Sequence, residues 1–406
     1  MDPIKPLVLP VLCAVLLTGC SASATAPDQR PGTASGGSSP TAAAPAPQIT
    51  VSVPDGVTGV APDTALQVTA TGGTLTSVRV APADGGDGKA HVAVSGTLDA
   101  ARQKWIVGRT LSPATTYTVQ VTAAGPDGQR ITARTHFTTI SPDRTNRALL
   151  GPLDHQVVGI GMPVTLRFNH PVTNKAAVER RLTVTTTPQV EGSWGWVRDP
   201  LTGQERIDWR PAHYWRPGTK VTVTAALSGV DTGDGAYLSR DISTTFLIGK
   251  ARITRIDLAA HRLTVTENGR TLRTLPISGG GPATPTHNGA MVVMDKVTDI
   301  QMNSETVGLG DAYDMAVKWA VHLTTSGTYL HAAPWNAARI GNTNASHGCI
   351  GLTTSDARWL YDQVRPGDPV ITAGSTGRTV DAGNGLGDWN VPYPQWKERS
   401  AVDGAL

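Results

Sequence analysis

Cys349 and His331 are the residues with which this chain could do chemistry. Cys349 stands in Ser346-His347-Gly348-Cys349-Ile350-Gly351-Leu352 and is the only cysteine outside the first twenty residues; the others are Cys13 and Cys20. His331 lies eighteen residues earlier, in Thr328-Tyr329-Leu330-His331-Ala332. A lone thiol with an imidazole nearby is a candidate nucleophile with its base. The thiolate would attack a carbonyl, and the imidazole would take the thiol proton and return one to a departing amine. No acidic residue stands near His331, so a backbone carbonyl, that of Ala332, is the candidate for orienting the ring. Gly348 permits close backbone approach, and its N–H with that of Cys349 could form an oxyanion hole. His347 is assigned a shaping or substrate-binding part. An inert buried cysteine is the plain alternative. A zinc site made of His331, His347, Cys349 and His322 is another, but it lacks a nearby Glu or Asp to act as base. No cofactor and no metal is therefore expected.

The elements that must carry these residues are strands. The chain has 406 residues, with 44 Gly and 29 Pro but only 3 Phe, and Thr and Val recur in short runs. That composition favours many short strands over long helices and leaves room for several domains. With a net charge of +3, 17% charged residues and no basic cluster, nucleic acid is excluded as a partner.

The N-terminus reads as an export signal. Lys5 precedes an apolar run from Leu7 to Leu17, broken only by Pro10 and too short to span a bilayer as a mature helix. The run ends in Leu17-Thr18-Gly19-Cys20, which resembles the lipobox of bacterial lipoproteins. Residues 1–19 would then be removed and Cys20 lipidated, tethering the protein to a membrane; several acyl chains anchor stably where one does not. An ordinary secretory peptide cut near Ala22 to Ala26 is the alternative. From Cys20 to Gln48 the chain is nearly all Ser, Ala, Thr, Gly and Pro, and is expected to be a disordered stalk. Export leaves one thiol in the mature body, which rules out a disulfide scaffold.

Two strand-rich modules follow, over 49–140 and 145–248. In the first, Leu66-Gln67-Val68-Thr69-Ala70, His91-Val92-Ala93-Val94-Ser95 and Tyr117-Thr118-Val119-Gln120-Val121-Thr122 alternate, and Asp84-Gly85-Gly86-Asp87-Gly88 supplies a turn. In the second, Val164 to Phe168, Arg181 to Val184, Lys220 to Ala225 and Arg240 to Phe246 repeat the pattern. Both are expected to be small sandwiches acting as spacers. Trp194, Trp196 and Trp209 are expected in core or interdomain packing rather than on a glycan-stacking face. Residues 250–374 differ: strands around Asn268-Gly269, a glycine run at Gly279 to Gly281, and one helix after the cysteine with Ser355 as its cap.

His331, fifteen intervening residues and Ser346-His347-Gly348-Cys349 resemble the signature of the L,D-transpeptidases, the YkuD-like family. Met302-Asn303-Ser304, Asp314 to Ala320, His331 to Trp335 and the tail Asp381 to Asn390 resemble its actinobacterial lipoprotein members. The resemblance implies a mostly β chain: two immunoglobulin-like β-sandwiches, then a β-rich catalytic domain with a small helix and a mobile lid over Gln301 to Trp319. It implies that residues 375–406 pack back on the second sandwich through Trp389, Tyr393 and Trp396. It also implies attack by Cys349 on tetrapeptide stems of peptidoglycan, D-alanine release, 3→3 crosslinking and acylation by carbapenems. Met302, Tyr329, Trp335, Asn344 and Ser346 would bind substrate. Hydrolysis of the thioester, or a wall-binding role without catalysis, are the competing readings. Two departures stand out: Gly351 replaces the Asn or Arg common in relatives, and the lid is short at Val307-Gly308-Leu309-Gly310-Asp311.

Overall fold

Alternating strands bury one face each, so consecutive hairpins stack into sandwiches. The strand Thr116–Ala124 shows how: Tyr117, Val119, Val121 and Ala123 point into the core. The computed structural model describes residues 46–83, 93–142, 144–308 and 310–403. The export signal, the lipidation site Cys20, most of the stalk and the Asp84 to Gly88 turn lie outside the described residues.

The first sandwich pairs a sheet of Gln48–Val51, Gln67–Thr71, Lys104–Val107 and Gly96–Leu98 with one of Val57–Val60, Arg130–Thr139, Thr116–Ala124 and Thr74–Pro82. Of the strand expected over His91 to Ser95, His91 and Val92 lie outside the described residues. Residues 93–95 lie outside any strand, with Val94 N bonded across to Val80 O at 2.6 Å, and ladder pairing begins at Gly96.

The second sandwich stacks Ala148–Gly151, Val164–Phe168, Glu205–Pro211 and Gly192–Arg198 on Val157–Val158, Ile242–Ile248, Lys220–Ala225 and Leu182–Thr187. Trp194, Trp196 and Trp209 are buried in it; Trp209 stacks on Trp215 at 5.3 Å and Trp196 on Phe168 at 6.0 Å. They are packing residues, and no glycan platform is formed by them.

Beyond residue 250 two sheets face each other. One has five strands, in the order Arg270–Pro276, Arg262–Glu267, Arg252–Asp257, Pro369–Ala373, Gly289–Val292. Its first hairpin turns at Asn268 and Gly269, with φ of 48° and 82°, the positive pair a two-residue turn needs. The other sheet has the order Asp295–Asn303, Asp314–His322, Tyr329–Ala332, Ile350–Leu352. Leu263, Val265, Ile277, Val321, Leu330 and Ile350 fill the space between them. The helix Thr354–Gln363 closes the core with Ala357 and Leu360. Its cap is Thr353, not Ser355: the strand ends at Leu352, leaving Thr353 extended, and its hydroxyl accepts from Asp356 N at 3.1 Å.

The tail runs back over the second sandwich. Trp396 is fully buried beside Val197 and Ala382, and its Nε1 donates to Ser193 O at 3.0 Å. Trp389 Nε1 donates to Gly161 O at 2.8 Å. Arg210 lies against the rings of Trp389, Tyr393 and Trp396, at 5.0, 5.6 and 4.8 Å from their centroids.

Candidate active site

Parallel pairing of Tyr329–Ala332 with Ile350–Leu352 sets His331 beside Gly351, two residues past Cys349. The strand Ile350–Leu352 starts from a turn that glycine makes possible. Gly348 has a φ of +118°, a conformation that a Cβ disfavours. That turn is clamped by the loop after Ile277. Ala345 N and Ser346 N both donate to Gly279 O, and Gly281 N donates to Ser346 O at 2.8 Å. The Thr286 hydroxyl donates to Gly348 O at 2.9 Å while accepting from Gly280 N at 2.8 Å. The glycine run at 279–281 thus serves as a backbone cradle for the nucleophile turn.

Cys349 and His331 line one cleft of about 440 Å³. Its cover is the hairpin of Asp295–Asn303 and Asp314–His322, which contributes Met302, Tyr313, Met315 and Val317. His331 is 6% exposed, and its Nδ1 donates to Ala332 O at 2.8 Å. This is the backbone orienter expected from the sequence, and it leaves Nε2 as the lone-pair nitrogen of the neutral ring. Burial holds the imidazole below its ordinary pKa, against the Ala332 hydrogen bond, so the ring is a neutral base at pH 7. Burial also pushes the Cys349 thiol up to about 11, with the Tyr329 N–H drawing it part of the way back. The resting pair is therefore thiol and imidazole, not an ion pair. The thiol donates to Gly327 O at 3.3 Å.

The other expected site residues divide. Met302 is a buried wall, Trp335 is a 54%-exposed rim residue stacked on His331 at 5.9 Å, and His347 lines the cleft against Tyr313 at 5.4 Å. Ser346 also lines it, but its hydroxyl is spent inside the turn, donating to Cys349 O at 2.5 Å and accepting from Gly348 N at 3.1 Å. This bears on the expectation for Gly348: its N–H is engaged by the Ser346 hydroxyl, so of the two backbone donors expected for an oxyanion hole only the Cys349 N–H has no partner among the described residues. Asn344, expected to bind substrate, is absent from the cleft lining. Its Oδ1 accepts from Gly279 N and its Nδ2 donates to Leu258 O, each at 2.8 Å, so both ends of the amide tie loops together. Tyr329 is absent from the cleft lining; its ring stacks on His322 at 4.3 Å. His322 has both nitrogens engaged, by Asp295 Oδ2 at 3.1 Å and Thr324 O at 2.8 Å.

Gly351 faces the cleft from between two neighbours. A Cβ there would lie 2.9 Å from the Ala333 Cβ, so any side chain at this position requires that wall to move. Its backbone bonds Ser278 in both directions, at 3.0 and 2.8 Å. Tyr313, Asn336 and the exposed Arg339 line the cleft too, and sequence reasoning did not single them out. Their only signal was position within the resemblance, since none has a distinctive spacing from Cys349. Among the described residues, no carboxylate lines the cleft.

Known proteins resemble this chain along most of its length. Residues 251–372 match the family described as the L,D-transpeptidase catalytic domain, YkuD, and residues 57–231 match one described as a bacterial Ig domain. The chain is 36% identical over 359 residues to L,D-transpeptidase 2 of Mycobacterium tuberculosis, covering 87% of this chain and 85% of that one. It is 35% identical over 361 residues to L,D-transpeptidase 5 of the same species, covering 88% and 78%. A solved L,D-transpeptidase in complex with imipenem is 35% identical, with a TM-score of 0.48, over 57% of this chain and 100% of that one.

Proposed function

This chain belongs to the L,D-transpeptidase family, and from that premise we propose that it forms 3→3 crosslinks between peptidoglycan stems through a Cys349 thioester. The thiol proton passes to His331 Nε2 as sulfur attacks the carbonyl at the L-centre of meso-diaminopimelate in a donor tetrapeptide. The Cys349 N–H stabilises the oxyanion. His331 returns the proton to the departing amine, D-alanine leaves, and the donor remains as a thioester. The side-chain amine of a second stem's diaminopimelate then attacks; its proton goes to His331 and on to the released sulfur. One amide is broken and one formed, so no external energy source is required.

The observation that carries this reading is the hydrogen bond from His331 Nδ1 to Ala332 O, which leaves a neutral base in the cleft it shares with Cys349. Arg339 at the rim, in a lining without carboxylates, suits a stem peptide that bears free carboxylates. The same thiol would open the strained lactam of a carbapenem and retain it as an acyl-enzyme. The apolar run ending at Leu17-Thr18-Gly19-Cys20 supports a lipid anchor on the outer face of the membrane, towards the wall. Cys20→Ala tests this: the protein should leave the membrane fraction and lose labelled acyl chain.

The activity is tested on purified disaccharide-tetrapeptide by intact-mass analysis. A dimer of two monomers less one D-alanine is expected, and it should disappear in Cys349→Ala while the fold is kept. Tripeptide as the sole product would replace this reading with an L,D-carboxypeptidase. No conversion at all, with the thiol open to alkylation, would leave a wall-binding protein.

A further inference from the structure

Asn384 in the tail is 1% exposed, and its side-chain amide is given over to one short loop. Its Oδ1 accepts from the Thr325 hydroxyl and from Ser326 N, each at 3.0 Å, and its Nδ2 donates to Ser326 Oγ at 2.8 Å. The next tail residue adds a bond from Gly385 N to Thr325 Oγ1 at 3.3 Å. The loop closes on itself through Gly327 N to Thr324 O at 3.0 Å and Thr328 N to Thr324 Oγ1 at 2.9 Å. Its last carbonyl, Gly327 O, accepts the Cys349 thiol. Two residues further on, the Tyr329 N–H meets the same sulfur from a strand.

The tail is itself fixed from the second sandwich. Arg206, 5% exposed, donates to Gly383 O at 3.2 Å and to Gly385 O at 2.6 Å, so it grips the residues on both sides of Asn384. Asp208 accepts from the same guanidinium at 2.7 Å. The tail passes close enough that a Cβ at Gly383 would collide with Arg198 O, and one at Gly385 would lie 2.6 Å from Leu323 O. A continuous series of contacts therefore runs from the second sandwich to the nucleophile.

We propose that Asn384 is a positioning residue for Cys349: held by Arg206, it fixes the Thr324–Gly327 loop and so sets the carbonyl that holds the thiol. The physical reason lies in the loop. Gly327 has a φ of +87° and no side chain, so its carbonyl would turn easily without the Asn384 clamp. A carbonyl that accepts from the neutral thiol opposes its ionisation, whereas the Tyr329 N–H favours the thiolate. Strand pairing pins Tyr329 to His322, so the carbonyl is the half of this pair that Asn384 controls.

The titratable groups around the sulfur are Tyr313 from the cover hairpin, Tyr329 and His331 from the adjacent strand, and His347 from the nucleophile's own turn. None belongs to the tail. A change at Asn384 can therefore reach the thiol only through the loop. The inference rests on Cys349 being the reacting group, but not on which product it makes.

The test uses the full chain and compares the wild type with Asn384→Ala, Thr325→Val and Trp396→Phe. Cys349 alkylation by iodoacetamide is followed from about pH 6 to about pH 12, past the wild-type thiol's midpoint, alongside kcat and KM. In Asn384→Ala the alkylation midpoint should fall by about half a unit or more. Its kcat should fall roughly tenfold with KM within about twofold, because the nucleophile is misplaced while the cleft wall stays. Thr325→Val, which removes the bond to Asn384 Oδ1 and the Gly385 N bond to the same hydroxyl but leaves both Ser326 bonds, should move both readings the same way by less. Trp396→Phe, which removes the tail's bond to Ser193 far from the loop, should leave the alkylation profile where it is. An unchanged profile in both loop-clamp variants would overturn the proposal. So would an equal displacement in Trp396→Phe, which would mean general loosening of the tail. Should Asn384→Ala not fold, Thr325→Val alone decides. If the wild type forms no crosslink, the transpeptidase reading fails, yet the alkylation profiles still judge this proposal.

Discussion

The two sandwiches share an alternating pattern but meet their neighbours in different ways. The first closes its own core with Leu66, Val68, Leu75, Val119 and Phe137 and touches the second along a polar seam. That seam holds Arg109 to Asp241 at 2.7 Å, the Thr110 hydroxyl to Ser228 O at 2.6 Å, and Ser112 with Ser228 at 2.8 Å. The core of the second does not close at its own boundary. Val292 and Leu386 are part of it, and Ile253, Met294 and Trp389 pack against it. Polar seams between domains tolerate relative motion, whereas a large apolar junction holds two bodies as one. The second sandwich thus shares a core with the catalytic domain, and the first does not.

The sharpest way to break this distinction is Trp396→Ala. The ring is fully buried, lies across Gly195 and forms part of the Arg210 cage, so its loss should cost about 3–5 kcal/mol in urea unfolding. A cost near zero would mean that the tail merely rests on the second sandwich.

Asp368 reports on the other side of the same junction. It is fully buried where Gly159 and Gly161 of the second sandwich bond to Pro366 O and Gly367 O, at 2.9 and 2.8 Å. Burial raises its carboxyl to about 7, against the Arg365 N hydrogen bond and the charges of Arg252, Arg365 and Lys296. The folded protein therefore binds this proton more tightly than the unfolded chain does. Its contribution is complete below about pH 4 and is lost as pH rises through about 7. Asp368→Asn copies the neutral form. Unfolding at several pH values should show the variant gaining on the wild type by on the order of 2 kcal/mol at pH 8, with no such gain near pH 4. A gain that does not change with pH would mean the carboxyl is already charged in the fold.

Sequence reasoning reached the parts of this architecture that residue type encodes. Cys349 and His331 could be found because a thiol and an imidazole carry chemistry in themselves, and strands such as Thr116–Ala124 because burial imposes a period of two. The resemblance placed Asn344 and Tyr329 among the substrate-binding residues, but a resemblance in sequence does not say which way a side chain is used in this fold. Asn344 is consumed by backbone groups at Gly279 and Leu258, and Tyr329 by His322. The roles of Thr286 and Gly327 left no trace, and Asn384 entered only as one residue of the tail Asp381 to Asn390. They act through carbonyls and through partners 22 to 62 residues distant, and a backbone acceptor has no letter in the sequence. The unequal coupling of the two sandwiches was hidden for the same reason. Val292 and Leu386 read as ordinary apolar residues, and only the fold shows whose core they fill.

The smallest expected effect concerns the seam that should matter least. Among the described residues, Arg109 and Asp241 form the one ion pair there, with side chains 36% and 41% exposed. Water screens such a pair, and fixing two flexible side chains offsets much of the attraction, so exposed pairs contribute about 0–1 kcal/mol. Arg109→Ala should lower stability by less than about 1 kcal/mol, and less still in high salt. It should leave kcat, KM and the alkylation profile of Cys349 unchanged, because no described contact carries the seam onward to the 324–327 loop. Asp241 also accepts from Ser228 N at 2.8 Å, so Asp241→Ala removes a backbone partner as well and should cost somewhat more. The pair of variants separates a tether from a coupling element. If either changed the reactivity of Cys349, the first sandwich would belong to the catalytic unit after all, and the polar seam would have to transmit what the apolar junction was thought to carry alone.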